Sequence, residues 1–231
     1  MKSKYKIFMG MSNMAGYFTK LQSGFDKLGI DTFILDVTSD PFNYGVKQSC
    51  YIRYLRFLFS QRGKGILPYK LLSILLYKIS LIPFFLWTLF KFDVFIFSFN
   101  MSFFRLMELS LLKLFKKRII FIYLGSDSRP PYMSGIDINL KKSSLIQLIN
   151  DSKNIKAKIK RVEKYADVII NSPASGQFHE KDFINWMCIG MPTNIEEYDK
   201  KENKINKINI VHAPSRPITK GTLTFLEILN S

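Results

Sequence analysis

The chain has 231 residues, 47% hydrophobic, 15% aromatic and 23% charged, enough apolar material to pack the core of one or two domains. Twelve glycines, nine prolines and a charge content near the globular average exclude a collagen-like, coiled-coil or wholly disordered protein. Thirty-four Lys and Arg against 18 Asp and Glu leave a formal net charge of +16, so an anionic partner is expected.

In the first sixteen residues, charge and glycine interrupt any apolar stretch, so no secretory leader is read and the chain is placed in the cytoplasm. Residues 5–11 (YKIFMGM) read as a strand. The turn at 12–16 then opens a helix through Phe25 and Leu28, closed by Gly29, and residues 31–37 (DTFILDV) form the next strand. From residue 41 to 92 there is no acidic residue, while Lys47, Arg53, Arg56, Arg62, Lys64, Lys70, Lys78 and Lys91 supply half the net charge. The same segment is rich in aromatics and leucine, a composition suited to anionic lipid headgroups. Its twenty-residue run from 71 to 90 has the length of a membrane span. Lys78 and Pro83 speak against spanning, which leaves three readings: a span, an interfacial helix or buried core.

Residues 92–99 (FDVFIFSF) are a buried strand, 102–117 a helix and 118–125 (RIIFIYLG) a strand. Between 141 and 164 eight basic residues accompany an apolar stripe of Ile155, Ile159, Val162 and Ala166 at helical spacing, with Lys153, Lys156, Lys160 and Lys164 on another face. Residues 166–172 (ADVIINS) are a strand, 183–190 hold a further short one, and Pro192 closes the unit. The polar stretch 194–207 lacks periodicity, residues 208–215 read as a strand and 220–230 begin a helix.

This βα alternation, with strands apolar on both faces, predicts an α/β fold: a Rossmann-like parallel sheet flanked by helices. The predicted domain spans residues 1–192, a linker 193–206, and the first strand and helix of an incomplete second Rossmann-like domain 207–231. Cys50 and Cys188 give neither a disulfide framework nor metal-ligand spacing and read as core thiols of a reducing compartment.

Ligands of open parallel sheets bind beyond the carboxyl ends of the strands, which singles out the loops after YKIFMGM, RIIFIYLG, ADVIINS and INIVHAP. After the first strand, Asn13 and Gly16 stand in a small-residue turn before a helix, either a ligand loop or a tight connection. Gly125, Ser126, Asp127 and Arg129 follow another strand. There a carboxylate and a guanidinium bind sugar hydroxyls or a phosphate, or Asp127 caps a turn and pairs with Arg129. Finally Arg216, Lys220 and Gly221 flank the opening of the last helix, suited to an oxyanion such as a diphosphate leaving group. No Asp-x-Asp pair and no His, Cys or carboxylate cluster is present, so no metal and no cofactor is expected. His179 is placed on an exposed loop. No reading motif accompanies the basic patches, so nucleic acid is not expected.

Taken in order, the Asn13–Gly16 turn, FDVFIFSF, YLGSDSR, RVEKYADVIINSP and HAPSRPITKGT resemble bacterial glycosyltransferases of the two-Rossmann-domain (GT-B) type, the family that includes capsule and lipopolysaccharide sugar transferases. The resemblance implies an acceptor-side domain in which Asp127 is catalytic and Asn13, Gly16, Gly125, Ser126 and Arg129 hold the acceptor. Arg216, Lys220 and Gly221 would bind the donor diphosphate without a metal. The family's donor domain continues past its first helix and carries a paired-glutamate motif that this sequence lacks. The implied function is transfer of a sugar from a nucleotide sugar to a glycan or lipid-linked acceptor in surface polysaccharide biosynthesis, peripherally at the anionic inner face of the plasma membrane. The alternative is a non-catalytic membrane- or partner-binding domain.

Overall fold

The computed structural model describes residues 5–38, 49–133, 144–193, 211–212 and 221–230. In chain order its elements are β1 (Ile7–Met11), α1 (Tyr17–Lys27), β2 (Thr32–Asp36), α2 (Cys50–Gln61), α3 (Leu67–Lys91), β3 (Val94–Ser98), α4 (Leu109–Leu114), β4 (Arg118–Ile122), α5 (Leu145–Tyr165), β5 (Val168–Asn171), β6 (Ile184–Asn185), α6 (Trp186–Ile189) and α7 (Thr222–Asn230). The strands form one parallel sheet in the order β2-β1-β3-β4-β5-β6. The α/β class with a Rossmann-like parallel sheet is therefore as the sequence predicts.

This order dictates the layers. From β1 the chain first moves to one side, to β2, and then returns past β1 to β3 and onward. With right-handed crossovers, helix α1 must lie on one face and the later helices on the other. Alternate strand residues serve the two layers. Ile7, Met9, Ile34 and Ile96 meet Phe18 and its neighbours on α1, whereas Phe8, Leu35, Phe95, Phe97 and Phe121 meet α2, α3, α4 and α5.

The second layer is aromatic. The ring of Phe8, fully buried, lies 5.1–6.3 Å from those of Phe33, Phe92, Phe95, Phe97 and Phe103. Gly10 leaves room for it, because a Cβ there would stand 2.9 Å from the Phe8 ring and 3.1 Å from the Leu35 carbonyl oxygen. Helices α2 and α3 form a hairpin closed by Arg62, whose guanidinium lies 3.6 Å from the centre of the Phe59 ring and 4.7 Å from that of Tyr77. Burial pushes the Tyr77 hydroxyl up to about 12, against the pull of Arg62.

Within the elements of the fold the structure departs from the sequence reading at the 102–117 helix, at the cysteines and at the 183–190 strand. The helix predicted over 102–117 is α-helical only at Leu109–Leu114. Ser102 Oγ accepts the Leu106 N–H at 2.6 Å and Glu108 Oε2 accepts the Phe104 N–H at 3.1 Å, while Arg105 and Leu106 take positive φ; side chains compete there with the helical ladder. Both cysteines are exposed rather than in the core: Cys50 opens α2, and Cys188 lies in the short α6, none of whose residues is buried. The strand expected near 183–190 contributes only Ile184–Asn185 before α6 begins, with Asn185 Oδ1 accepting the Met187 N–H. The linker and most of the strand expected at 208–215 lie outside the described residues, whereas the final helix is present as α7.

Because five rings surround Phe8, Phe8→Ala should destabilise the fold by about 3–5 kcal/mol. Urea denaturation checks this; a loss under about 1 kcal/mol would mean that the aromatic layer is not the core.

Candidate functional site

The connection from β1 leads to one side of it, to β2, and the connection from β2 returns past β1 to β3, so the switch point of this sheet lies between the carboxyl ends of β1 and β3. Polar side chains gather along that edge in a connected series. Ser98 Oγ at the end of β3 donates to the Ser12 carbonyl beyond β1 at 3.2 Å. Two residues past β3, Asn100 Nδ2 donates to the Asp127 carbonyl in the loop after β4. Asn171, fully buried at the end of β5, donates through Nδ2 to Ser128 Oγ at 3.1 Å and to the Ser175 carbonyl at 3.3 Å. The loops after four neighbouring strands are thereby fixed relative to one another.

Asn13 belongs to α1. Its Oδ1 accepts the Phe18 and Thr19 N–H groups at 2.9 and 3.3 Å, and its Nδ2 donates to Thr19 Oγ1 at 2.7 Å. It closes the first turn of the helix, in the manner of an N-cap. Gly16 begins the helix at φ +70°, a backbone conformation that favours glycine.

In the loop after β4 both carboxylate oxygens of Asp127 take the Leu124 N–H, at 3.1 and 3.2 Å. This is the turn-capping arrangement; among the described residues no ion pair joins Asp127 to Arg129. Burial raises the pKa of Asp127, while backbone N–H groups of its own turn pull the other way. Gly125 takes φ +126°, and the Arg129 guanidinium rests 3.5 Å from where its Cβ would stand. Ser126 is exposed. Arg129 has no acidic partner among the described residues, and its Nε is buried without a hydrogen bond, as is Asn100 Oδ1. A cation and an amide oxygen with capacity to spare thus stand on the loops after β4 and β3, at the carboxyl edge of the sheet.

Near the end of this loop, at Tyr132, lies a cleft of about 350 Å3 with largely apolar walls, among them Leu148, Ile149 and Phe178; among the described residues Lys153 and Lys156 are its charged lining. Arg216 and Lys220 lie outside the described residues. Gly221 takes φ +72° just before α7, where His212 Nε2 meets Thr222 Oγ1 at 2.8 Å.

His179 is not exposed as the sequence reading has it: its side chain is 1% accessible, with Nδ1 2.9 Å from Glu163 Oε1. Glu163, buried on α5, also accepts the Glu180 and Lys181 N–H groups and folds the loop after β5 back onto the helix. The His179 ring packs 5.1 Å from that of Tyr123. Burial, with the Asp127 and Glu163 charges, raises the Tyr123 hydroxyl far above the ordinary tyrosine range. Sequence reasoning passed over Asn100, Asn171 and this Glu163–His179 pair. A polar residue at the end of an apolar strand, or two residues past it, was the signal for the two asparagines; nothing local marked the pair. Among the described residues no three His, Cys, Asp or Glu side chains are grouped to hold a metal ion.

Compared with protein families, curated proteins and solved structures, the chain matches none.

Asp127→Ala should cost about 1–3 kcal/mol in urea denaturation by stranding the Leu124 N–H, whereas Asp127→Asn, which still offers an acceptor, should keep most of it. The raised pKa means that the folded state holds this proton more tightly than the unfolded chain. The contribution of Asp127 is therefore full below the ordinary aspartate value and lost as pH rises through the raised one. In Asp127→Asn this fall should disappear; an identical stability–pH profile would contradict the assignment.

Proposed function

We propose that the chain is the acceptor-side half of a glycosyltransferase that passes a sugar from a nucleotide sugar to a glycan or lipid-linked acceptor at the inner face of the membrane, in surface polysaccharide biosynthesis. One observation carries the reading: Arg129, without an acidic partner among the described residues and with its Nε buried and unbonded, lies in the loop after β4 at the carboxyl edge of the sheet, the loop that Asn100 bonds from the end of β3. A guanidinium there suits the phosphate or clustered hydroxyls of such substrates. The neighbouring cleft has room and apolar walls for the acceptor's non-sugar part.

In this reading Arg129 binds, Asn13 and Asn100 fix the loops, and Gly125 lets the guanidinium lie close over the backbone. Asp127 holds the turn that presents Arg129. Its lone pairs not taken by Leu124 are available to an acceptor hydroxyl, and a raised pKa favours proton exchange with it. Arg216, Lys220 and Gly221 are assigned to the departing diphosphate from the family resemblance. The reaction as proposed runs without a metal.

The test is transfer of labelled sugar from a panel of nucleotide sugars into membrane extract, with wild type and Arg129→Ala. The variant should lose about tenfold or more in kcat/KM, with part restored in Arg129→Lys. Equal turnover by Arg129→Ala would contradict the role of Arg129. Failure of every nucleotide sugar to bind or react would favour the second reading, a non-catalytic membrane- or partner-binding domain, for which the exposed apolar side of α3 speaks.

A further inference from the structure

Helix α3 has two apolar faces and only one of them is covered. Its inner side places Tyr77, Leu81, Phe84, Phe85 and Leu89 in the aromatic layer against the sheet. On its outer side Leu72, Leu75, Ile79, Ile82, Leu86 and Phe90 recur every three or four residues and are 44–73% exposed. That spacing makes one stripe about 27 Å long on an α-helix. Its area is on the order of 600 Å2, at the upper end of what a monomer leaves in water and of the size that marks an interaction surface. A helix apolar all round belongs inside a protein core or in lipid.

Charge identifies what covers it. No acidic residue occurs from 41 to 92. Arg53, Lys64, Lys78 and Lys91 are exposed, and none of them forms a salt bridge among the described residues. A second copy of the chain pressed onto this face would bring the same positive charges together, so like charge opposes an isologous dimer. A bilayer with anionic headgroups meets both needs, taking the stripe among acyl chains and the basic residues among phosphates. Crossing the bilayer is opposed by the inner face. Among the described residues α3 is the one helix long and apolar enough to span. Standing across a membrane, however, would strip Phe84, Phe85 and Leu89 from the sheet and carry Lys78 into the hydrocarbon.

We propose that α3 lies along the surface of an anionic membrane, inner face on the sheet and outer stripe in the lipid, and so holds the polar edge of the sheet near membrane-bound substrates. The proposal deepens the reading above, on which it rests for the membrane's role in the reaction, by naming α3 and its outer stripe as the surface that meets the lipid. That surface is argued from α3 alone, so vesicle binding and sugar transfer can fail independently.

The full chain should float with phosphatidylcholine vesicles containing phosphatidylglycerol and bind pure phosphatidylcholine about tenfold or more weakly. The combined variant Leu75→Ser, Ile79→Ser, Leu86→Ser should keep its circular dichroism and cooperative melting, since these side chains face outward, yet bind anionic vesicles about tenfold or more weakly. A second variant, Lys64→Glu, Lys78→Glu, Lys91→Glu, should lose a similar factor, mostly at low salt. In a Trp186→Phe background, lipids brominated near the headgroup end of the acyl chain should quench Trp87. No binding to anionic vesicles would overturn the proposal, as would binding that both variants retain. A solution dimer dissolved by the serine variant without vesicle binding, or resistance to alkaline extraction from membranes, would overturn it equally.

Discussion

The layer of phenylalanine rings between the sheet and α3 is the constraint from which the rest follows. Phe8, Phe95, Phe97 and Phe121 project from adjacent parallel strands, and Phe84, Phe85 and Phe103 meet them from the other side. Such contacts bury large areas and gain further from tilted and edge-on ring geometry. They fix α3 by one face only. An amphipathic helix would then show polar residues to water, but this sequence repeats leucine and isoleucine outward, so the same helix that completes the core leaves a second apolar surface.

Sheet order links that surface to the candidate site. Because β3 follows α3 directly, the helix with the bare apolar face and the switch point share a strand. Hydrogen bonds from Ser98 to Ser12, from Asn100 to Asp127 and from Asn171 to Ser128 then hold the loops of β1, β3, β4 and β5 as one edge. The backbone that carries Arg129 is thereby tied to the neighbouring strands, while its guanidinium keeps an unbonded Nε.

Much of the fold was legible. Five strands stood out as apolar runs, and the Ile155, Ile159 and Val162 stripe read correctly because α5 packs by periodicity alone, with Ile159 and Val162 buried. What escaped depended on partners distant in sequence or on side chains bonding to backbone. Nothing near His179 shows that a buried Glu163 on α5 captures it, and Ser102 and Glu108 unwind a stretch whose composition is helical. The run from 71 to 90 left three readings open because all its faces are apolar; only packing distinguishes the covered face from the bare one. At the candidate site, Gly125 and Arg129 were visible as residue types, but the commitment of Asp127 to Leu124 and of Asn13 to α1 appears only in three dimensions.

The most direct measurement is hydrogen–deuterium exchange along the full chain, free and with anionic vesicles. If α3 is clamped to the sheet and rests on lipid, its amides from 67 to 91 exchange slowly in solution and more slowly still on vesicles, while protection in β1 and β3 is unchanged. If α3 instead exchanges freely in solution, or if vesicles slow it while β1 and β3 lose protection, the helix has left the sheet and the account is wrong.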